Sequence, residues 1–344
     1  MSRNPRRKSP ALRLLLFVQV MVLLLLLVIA FMFFKLDSIE RIPLDIDSLE
    51  RVELSGDFTN IALFGIDGEG RQEISGIAPG RSDSIMIMSI NNRNGEVTIV
   101  SVFRDTLLEQ SDGGFSKANA AYAFGGPQQA VTMLNRNLDM DIQAFITVDY
   151  DALVAMVDAV GGVYIDVQPE EVQLINEISY GISLYTGVEN HAWIDEPGVQ
   201  RLNGVQATGY SRIRSTVGDD FRRAERQRDV LAQIISRART AGPVGWYRIV
   251  DNVLPMMSTN LSSWEMIRLS PNLLRIQLNE MRGWPVDVTT TRNVQGIPGD
   301  HVVPIGHAHN VRLLHEILFG MPDYEVSQRV LEINNQIVNM TGIQ

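Results

Sequence analysis

Five arginines are concentrated in the stretch YSRIRSTVGDDFRRAERQ, which runs from Tyr210 to Gln227. Each guanidinium group has planar N–H donors that can bind two oxygens of a phosphate at once. Arg212 and Arg214 are two residues apart, so in an extended segment both side chains project from one face. Arg223 and Gln227 are four residues apart and share a face at the start of the amphipathic helix that follows. The spacing therefore predicts several donors converging on one anion.

The beginning of that helix strengthens this prediction. Asp220, three residues before Arg223, stands where an N-cap residue would stand. The backbone N–H groups at a helix start favour a bound anion, so the stretch predicts a receptor for a phosphate or another oxyanion. The alternative is a surface helix with many ion pairs, which is the common role of a run of charges. That alternative suits Arg222 and Arg228.

Two aspartates are predicted to lie at one edge of a sheet. The apolar run NIALFGID, Asn60–Asp67, is typical of a buried strand that ends in an acid, and Asp83 immediately precedes the next predicted strand, Ser84–Ile90. If the two strands pair, both carboxylates lie at the edge where α/β folds hold ligands. Asp67 and Asp83 opposite a phosphate would suit Mg²⁺, which takes few protein oxygens and binds phosphate oxygens as well. The alternative is that either aspartate caps a turn.

A third strand would bring another cation to this edge. The strand Glu96–Val102 is predicted to follow a turn that contains Asn94 and Gly95. Arg104 and Asp105 come directly after it. Asp105 would act as a base or orient Arg104.

Other patterns of catalytic or metal sites are weak in the sequence. The chain has no cysteine, which excludes thiolate nucleophiles and cysteine-based zinc sites. The run GIDGEG lacks the G-K-[ST] ending of a P-loop. His301, His307 and His309 include an H-x-H pair without companion acids, so exposed histidines are predicted rather than a metal site. Lys117 is the only lysine after Lys35, and a loop salt bridge explains it.

Strands alternate with helices along the chain, which predicts an α/β layered fold. A helix is predicted over Gly125–Leu138, with Pro127 near its first turn. The strand QAFITVDY, the helix DALVAMVDAVGG and the strand VYIDV follow. A short helix capped by Asn203 precedes the arginine stretch, and from Ala224 apolar residues recur at helical spacing.

The N-terminal region is typical of a membrane anchor. Leu14–Phe34 is 21 residues long, and Gln19 is its only polar residue. At ~1.5 Å per residue, a helix of this length spans a hydrocarbon layer of roughly 30 Å. Five basic residues precede the run, so the positive-inside rule predicts a cytoplasmic N-terminus and an extracytoplasmic body. A cleaved signal peptide is the alternative, but the run exceeds the usual ~7–15 apolar residues and no small-x-small site follows it.

These features divide the chain into five regions. Residues 1–13 form a basic cytoplasmic tail, 14–34 the transmembrane anchor, 35–56 a charged stalk, 57–320 the folded domain, and 321–344 a weakly attached C-terminal tail with some helix. The formal net charge of −10 argues against general nucleic-acid binding, so no nucleic acid is expected as a partner.

In chain order, these motifs resemble the LytR-CpsA-Psr family of membrane-anchored cell-wall enzymes. The resemblance runs from about Asn60 to Gly320 and rests on NIALFGID, GRSDSIMIMSIN, VTIVSVFRD, KANAAYAFGGP, VDYDALVAMVDAVGGVYIDV, LNGVQATGYSRIR and GDDFRRAERQ. It implies an α/β/α layered domain around a central mixed sheet, preceded by one N-terminal transmembrane helix. It also implies an apolar tunnel for a polyprenyl chain.

The resemblance further implies a function. Members of this family transfer a phosphoglycan from a polyprenyl-pyrophosphate carrier onto peptidoglycan, with Mg²⁺ at the pyrophosphate. Carried over by motif, the metal ligands would be Asp67 and Asp83. The pyrophosphate would be bound by Arg104, Arg212, Arg214, Arg223 and Gln227. The catalytic group would comprise Arg104, Asp105, Arg212 and Arg214.

Two residues depart from the family pattern, and other functions stay open. Phe103 stands where the family usually has proline and would alter the strand exit. Arg222 stands where it usually has glycine, and adds a cation beside the site or points to solvent. A pyrophosphatase, in which water attacks the same substrate, would use the same residues. A non-catalytic polyprenyl-lipid-binding protein of wall assembly is the alternative from another class, whereas no DNA-binding pattern supports a regulator.

Overall fold

The computed structural model describes residues 34–54, 56–67, 80–189, 193–214, 219–274, 281–292 and 294–344. Its strands are β1 (Glu40–Arg41), β2 (Phe58–Ile66), β3 (Ser82–Asn91), β4 (Val97–Val102), β5 (Leu107–Glu109), β6 (Phe115–Lys117), β7 (Ile142–Val148), β8 (Val163–Val167), β9 (Gly198–Leu202), β10 (Ser258–Thr259), β11 (Arg282–Trp284), β12 (Val288–Thr291) and β13 (His301–Pro304). Its α-helices are α1 (Ala120–Leu138), α2 (Tyr150–Ala159), α3 (Glu171–Thr186), α4 (Gly204–Ser211), α5 (Asp219–Thr240), α6 (Gly242–Arg248), α7 (Ser263–Leu274), α8 (His307–Phe319) and α9 (Gln328–Thr341).

Within the described residues, seven strands form one central sheet in the order β1-β10-β7-β2-β3-β4-β11. β2 runs antiparallel to β3 and parallel to β7, and β3 runs antiparallel to β4. The sheet is therefore mixed. β2 and β3 pair with each other, which is the condition under which Asp67 and Asp83 were expected to lie at one edge. β3 begins at Ser82, two residues before the predicted start, so Asp83 belongs to the strand.

Both faces of the central strands are buried, because successive side chains point to opposite sides and both sets are apolar. On one side, Phe64 of β2 and Ile87 of β3 join a core that includes residues of α1 and α8. On the other side, Ile61 and Met88 join a core against which α5 and α7 pack. A sheet that is apolar on both faces needs a helical layer on each. The predicted α/β layering around a central mixed sheet is confirmed.

The helix predicted over Gly125–Leu138 begins earlier, at Ala120. It is interrupted at Gly125 and Gly126, whose φ values of −157° and 62° are not helical. Pro127 follows the interruption, where its missing N–H and fixed φ suit the first turn of a regular helix. The predicted start therefore marks the regular part of α1.

The stalk predicted over residues 35–56 is wrong for its described part. Leu36, Ile39 and Leu49 are buried, and β1 pairs with β10 at the edge of the central sheet. The aliphatic residues of this segment follow one another at mixed intervals of two and three positions among charges, so they match neither helical nor strand periodicity throughout. Tertiary contacts nevertheless hold the segment on the domain.

The expectation of a weakly attached C-terminal tail is also wrong. Helix α9 buries Val330, Ile333 and Ile337, which recur at helical spacing on one face. Asp139 accepts hydrogen bonds from the backbone N and the side-chain Oγ of Ser327, both at 2.6 Å, and so fixes the start of the helix.

No helix among the described residues is long and apolar enough to cross a membrane. The predicted anchor, Leu14–Phe34, lies outside the described residues except for its last residue.

Candidate active site

Asp67 lies at the carboxyl end of β2, which ends at Ile66. Its carboxylate is closely approached by the backbone at Gly80, where a Cβ atom would lie only 2.1 Å from the Asp67 Oδ1 atom. Glycine is therefore required for the chain to pass this close to the carboxylate.

Asp83 reaches the same edge of the sheet through an irregularity in β3. Gly65 of β2 is opposite Ser84, and Ile66 is opposite Ser82, which leaves Asp83 as the extra residue of a β-bulge. A bulge bends its strand and redirects a side chain, and bulges are frequent beside active sites. The sequence predicted Asp83 at this edge but not the bulge.

The Asp83 carboxylate is held by three donors. Arg104 Nη1 donates to Oδ1 at 2.6 Å, while Arg214 Nη2 and the Tyr150 hydroxyl donate to Oδ2 at 3.0 and 3.3 Å. Burial opposes ionisation of this carboxyl, but the charges of Arg104 and Arg214 and the hydrogen bond outweigh it and hold the pKa of Asp83 below its usual value. Asp83 is therefore an anion that binds Arg104 and Arg214 directly.

Arg104 is oriented by Asp105, which is only 7% exposed. The Asp105 Oδ2 atom lies 3.3 Å from Arg104 Nε, and its Oδ1 atom lies 2.9 Å from Lys117 Nζ. Because both carboxylate oxygens are engaged by cations, the geometry favours the orienting role of Asp105 over the role of a base. The salt bridge predicted for Lys117 is present, although the residue lies in β6 rather than in a loop.

Helix α4 positions the first part of the arginine stretch. Asn203 caps it in a reciprocal box, in which Asn203 Oδ1 accepts from the Gln206 N atom at 2.9 Å and Gln206 Oε1 accepts from the Asn203 N atom at 3.0 Å. The predicted cap is thus confirmed. At Gly204, a Cβ atom would lie 2.3 Å from the Val154 carbonyl oxygen, so α4 packs directly on the backbone of α2.

The extended conformation predicted for the segment from Arg212 to Arg214 is wrong at Arg212. Arg212 is the C-cap of α4, with helical φ and ψ of −105° and −4°. Its guanidinium carbon lies 4.2 Å from the centre of the Tyr150 ring, while Arg214 binds Asp83. The two arginines converge because the chain turns at the end of a helix, and not because a strand alternates.

Helix α5 brings Arg223 and Gln227 to the same place. Gln227 Nε2 donates to the Asp83 carbonyl oxygen at 3.4 Å, and Arg223 is only 3% exposed. The N-cap predicted at Asp220 is wrong, since α5 already begins at Asp219.

A buried ion pair fixes α5 to α3. Arg226 Nε donates to Glu171 Oε1 at 2.8 Å, and the two side chains are 3% and 4% exposed. The Arg226 Nη1 atom also donates to the Ile213 carbonyl oxygen at 3.3 Å. Because Ile213 separates the two site arginines in the chain, Arg226 holds the segment that presents them.

The two departures from the family pattern leave the site intact. The Phe103 ring packs edge-on against Phe221, with centroids 4.7 Å apart, and so joins the end of β4 to the first turn of α5. It occupies space that a Cβ atom at Gly283 would need, since that atom would lie 2.3 Å from the ring. Arg222 is exposed and points to solvent.

The arginines and Asp83 line one end of a cavity of about 350 Å³. Residues from β2, β7, α2 and α5 form its walls, which are almost entirely apolar beyond this end. The polar end is lined by Asp83, Arg212, Arg214, Arg223 and Gln227. The apolar part is lined by Leu63, Ile146, Leu153, Leu231, Ile234 and Met257, among others. The cavity is therefore complementary to an amphiphile: its arginines suit an anionic head, and its apolar part suits a hydrocarbon chain.

Two of the three histidines predicted to be exposed are buried. His307 is buried, with its Nε2 atom 2.9 Å from the Asn137 carbonyl oxygen, and burial lowers its pKa to about 4. His301 is buried as well, whereas His309 is exposed and lies 3.0 Å from Asp287. Over the described part of the chain, no group of three or more histidine or acidic side chains is arranged to hold a metal ion.

Sequence reasoning missed Tyr150. It is the first residue of α2, and the N-cap Asp149 accepts from the Ala152 N atom at 2.8 Å. Since α2 follows β7, which runs parallel to β2, the ring arrives at the same edge as Asp83. The available signal is the junction VDYD, where an N-cap directly follows the carboxyl end of a strand.

The chain is similar to known proteins over most of its folded part. The model of the LytR_cpsA_psr family matches residues 39–302. Biofilm regulatory protein A of Streptococcus mutans serotype c is 32% identical over 211 residues, which are 59% of this chain and 50% of that protein. The polyisoprenyl-teichoic acid–peptidoglycan teichoic acid transferase TagU of Enterococcus faecalis is 30% identical over 216 residues, which are 61% of this chain and 64% of that protein. The matched region thus spans half to about two thirds of these relatives.

Among solved structures, the LytR-CPS2A-psr family protein YwtF (TagT) with bound octaprenyl pyrophosphate lipid shares the fold. The TM-score is 0.56 at 18% sequence identity, covering 88% of this chain and 100% of that one. The fold, the ordered motifs and the match of the family model over most of the chain agree, and the chain belongs to the LytR_cpsA_psr family.

Proposed function

We propose that the folded domain transfers a phosphoglycan from a polyprenyl-pyrophosphate carrier onto peptidoglycan. One observation carries the proposal: a single cavity joins an end lined by arginines and an acid to an apolar part. A polyprenyl pyrophosphate has the same two parts, an anionic head and a hydrocarbon chain. The names of the relatives support this reading, since TagU is a teichoic acid transferase and YwtF was captured with octaprenyl pyrophosphate.

The reaction would need charge stabilisation more than a protein nucleophile. A hydroxyl of the acceptor glycan attacks the phosphorus next to the donor glycan, the bond to the bridging oxygen breaks, and polyprenyl phosphate leaves. Arg212, Arg214 and Arg223 would offset the charge that develops on the phosphate oxygens. The hydroxyl proton would leave to solvent, and the lowered pKa of Asp83 makes that carboxylate a weaker proton acceptor than a free aspartate.

Mg²⁺ is proposed as the cofactor. Asp67 and Asp83 supply two carboxylates at one edge of the sheet, and few protein oxygens beside phosphate oxygens suit this ion. When bound, the ion would neutralise pyrophosphate charge. Part of the Asp83 carboxylate would then bind the ion instead of Arg104 and Arg214. Those two guanidinium groups would become free to bind the phosphates.

The proposed location follows from the sequence of the N-terminal region. Leu14–Phe34 would anchor the chain in the cell membrane as a single span, with residues 1–13 in the cytoplasm and the domain outside. A lipid-linked donor and a peptidoglycan acceptor are both reached from that side.

The proposal is tested with the full chain reconstituted in phospholipid vesicles with a polyprenyl-pyrophosphate-linked glycan, Mg²⁺ and peptidoglycan. Release of polyprenyl phosphate is followed for the wild type, Arg212→Ala and Asp83→Ala. Each charge-assisted contact is worth about 1.5–3 kcal/mol, so each variant should lose roughly 10- to 100-fold in rate. Arg222→Ala is the matched control, because this arginine of α5 points to solvent, and it should keep wild-type activity.

The fate of the glycan separates the candidate functions. Label recovered in peptidoglycan supports the transferase, whereas phosphoglycan released only to solution supports a pyrophosphatase. Donor binding without any release, unchanged in Asp83→Ala, would contradict catalysis and leave a lipid-binding protein of wall assembly.

A further inference from the structure

Four large apolar side chains are exposed near the point where the described chain begins. Phe34 is 72% exposed, Val244 66%, Tyr247 53% and Trp264 67%. We call the surface that they form, together with α6 and the first turn of α7, the N-terminal face. A soluble surface rarely groups aromatic residues of this size without a partner.

One ion pair holds the start of the described chain against the π-helical turn Ile249–Val253, which continues α6. Lys35 Nζ lies 2.6 Å from Asp251 Oδ1 in that turn. Val244, Tyr247 and Asp251 are three and four residues apart along these two consecutive helical elements, so their side chains project from about the same side. The ion pair therefore places the start of the described chain, which includes Phe34, next to the end of the helical segment that carries Tyr247.

Arg41 joins the same segment to the start of α7. Its Nη2 atom donates to the Leu36 carbonyl oxygen at 2.8 Å and to Ser263 Oγ at 3.2 Å. Since one nitrogen binds both groups, Leu36 and Ser263 are neighbours. Trp264, whose ring is exposed, directly follows Ser263 at the start of α7 and so lies near the start of the described chain.

The sheet register shows which edge of the domain this face adjoins. Glu40 of β1 is opposite Ser258 of β10, and Ser258 is opposite Thr147 of β7. Thr147 is in turn opposite Phe64 of β2. β1 runs opposite to β2, so the residues before Glu40 lie toward the carboxyl end of β2. That end carries the candidate active site.

The distance across the sheet between β1, which lies near the start of the described chain, and β2, which ends at the candidate active site, is small. Three strand spacings separate β1 from β2 in the sheet order, which amounts to about 14 Å at ~4.8 Å each. The start of the described chain and the acidic edge are therefore neighbours, and the segment predicted as a stalk contributes no separation between them.

The N-terminal face carries charges of both signs beside its aromatic rings. Arg248 adjoins Tyr247, and Arg268 is four residues after Trp264 on α7; both are exposed. Glu265 and Asp37 are exposed acids on the same side, and Glu265 also accepts from the N and Oγ atoms of Ser262. Aromatic rings with arginines beside them are typical of the interface between headgroups and acyl chains.

We infer that the N-terminal face rests on the outer surface of the lipid bilayer. The inference rests on the proposed membrane anchor, because Leu14–Phe34 ends at this face and would hold it against the bilayer. Phe34, Val244, Tyr247 and Trp264 then lie at the level of the headgroups. The polar end of the cavity lies close to the same level, where the pyrophosphate of a lipid-linked donor is already located.

The test measures how deeply this face lies in a membrane. The chain has no cysteine, so Tyr247→Cys and Trp264→Cys each introduce one site for a nitroxide label. Leu331→Cys on α9, which is 38% exposed, is the control, because α9 packs on the opposite face of the sheet. The full-length variants are reconstituted at one copy per vesicle in phosphatidylethanolamine and phosphatidylglycerol, and collisions with oxygen and with a water-soluble nickel chelate are compared by electron paramagnetic resonance.

We expect oxygen to reach the labels at positions 247 and 264 better than the nickel chelate does, and the reverse at position 331. Equal nickel accessibility at all three positions would overturn the inference. Protection that appears only at many copies per vesicle would assign the face to a second copy of the chain and also overturn it. Hydrogen exchange of the unmodified chain gives an independent check: residues 242–248 should exchange more slowly in vesicles than in detergent.

The proposed activity and this inference fail separately. Neither donor nor Mg²⁺ is present in the depth measurement, so an inactive protein can still show a buried face. Release of the chain from the vesicles by alkaline carbonate would instead contradict the anchor itself.

Discussion

The guanidinium carbon of Arg212 lies 4.2 Å from the centre of the Tyr150 ring, whose hydroxyl donates to Asp83 at 3.3 Å. One aromatic side chain therefore supports an arginine on its face and an acid at its edge. The burial of the tyrosine raises its pKa, and the neighbouring charge of Asp83 adds to the effect, so Tyr150 stays a neutral hydrogen-bond donor at physiological pH.

Tyr150→Ala should remove the surface on which Arg212 lies. A cation–π contact of this kind is worth about 1–2 kcal/mol, so donor binding should weaken roughly 5- to 30-fold. Tyr150→Phe keeps the ring and should stay within about threefold of the wild type, since the 3.3 Å contact of the hydroxyl with Asp83 is longer than the ~2.5–3.0 Å of a strong O–H···O hydrogen bond. Donor binding to the full chain in vesicles measures both. Equal losses in the two variants would show that the hydroxyl, and not the ring, carries the effect.

The lowered pKa of Asp83 predicts how its contribution to stability depends on pH. A carboxyl whose pKa is depressed on folding stabilises the fold above its unfolded pKa of about 4, and that contribution is lost as pH falls through the folded pKa. Asp83→Asn should therefore lower the urea midpoint at pH 7, and the difference from the wild type should shrink below about pH 4. Asp166→Asn on β8, where the aspartate is exposed, is the matched control. A difference for Asp83→Asn that grows toward acid pH would contradict the charge balance described for this site.

Two helical glycines should respond oppositely to alanine. At Gly204 a Cβ atom would lie 2.3 Å from the Val154 carbonyl oxygen, so Gly204→Ala should force α4 away from α2 and destabilise the fold by about 1–3 kcal/mol. At Gly181 of α3, a Cβ atom meets nothing within 4 Å, so Gly181→Ala should stabilise by about 0.5–1 kcal/mol. Chemical denaturation measures both changes. If Gly204→Ala were as stable as the wild type, the direct packing of α4 on α2 would not be what places Arg212.

Phe103 and Gly283 should be coupled. Gly283→Ala places a Cβ atom 2.3 Å from the Phe103 ring, which Phe221 holds in place, and should destabilise the fold by about 1–3 kcal/mol. In a Phe103→Leu background, where no ring occupies that space, the same change should cost much less. A double-mutant cycle in urea gives the coupling energy. Additive effects of the two changes would contradict direct contact as the reason for glycine at position 283.

Much of the fold was predictable from local patterns. The strand that ends at Asp67, the strand before Arg104 and the cap at Asn203 each depend on residues within a few positions of one another, and the structure confirms them. The errors fall where local pattern is weak. In the described part of the 35–56 segment the apolar residues keep no single periodicity, and the burial of Leu36 depends on distant elements.

The candidate site shows the same division. Every residue predicted to bind a pyrophosphate lies at or beside the polar end of one cavity, although their individual roles stay predictions. Arg212 and Arg214 converge for a different reason from the one predicted, because a helix end replaces an extended segment. Tyr150 was missed, since a tyrosine at a helix start carries no distinctive pattern.

The sequence by itself determined the residue types of the site and the strand and helix ends on which they lie, because periodicity and capping are local. Only the tertiary structure decided which of these ends meet. Arg214 and Asp83 are 131 residues apart in the chain, but Arg214 Nη2 lies 3.0 Å from Asp83 Oδ2. Contacts of that kind follow from strand order, from the bulge at Asp83 and from helices that pack on two faces of one sheet, and no local pattern encodes them.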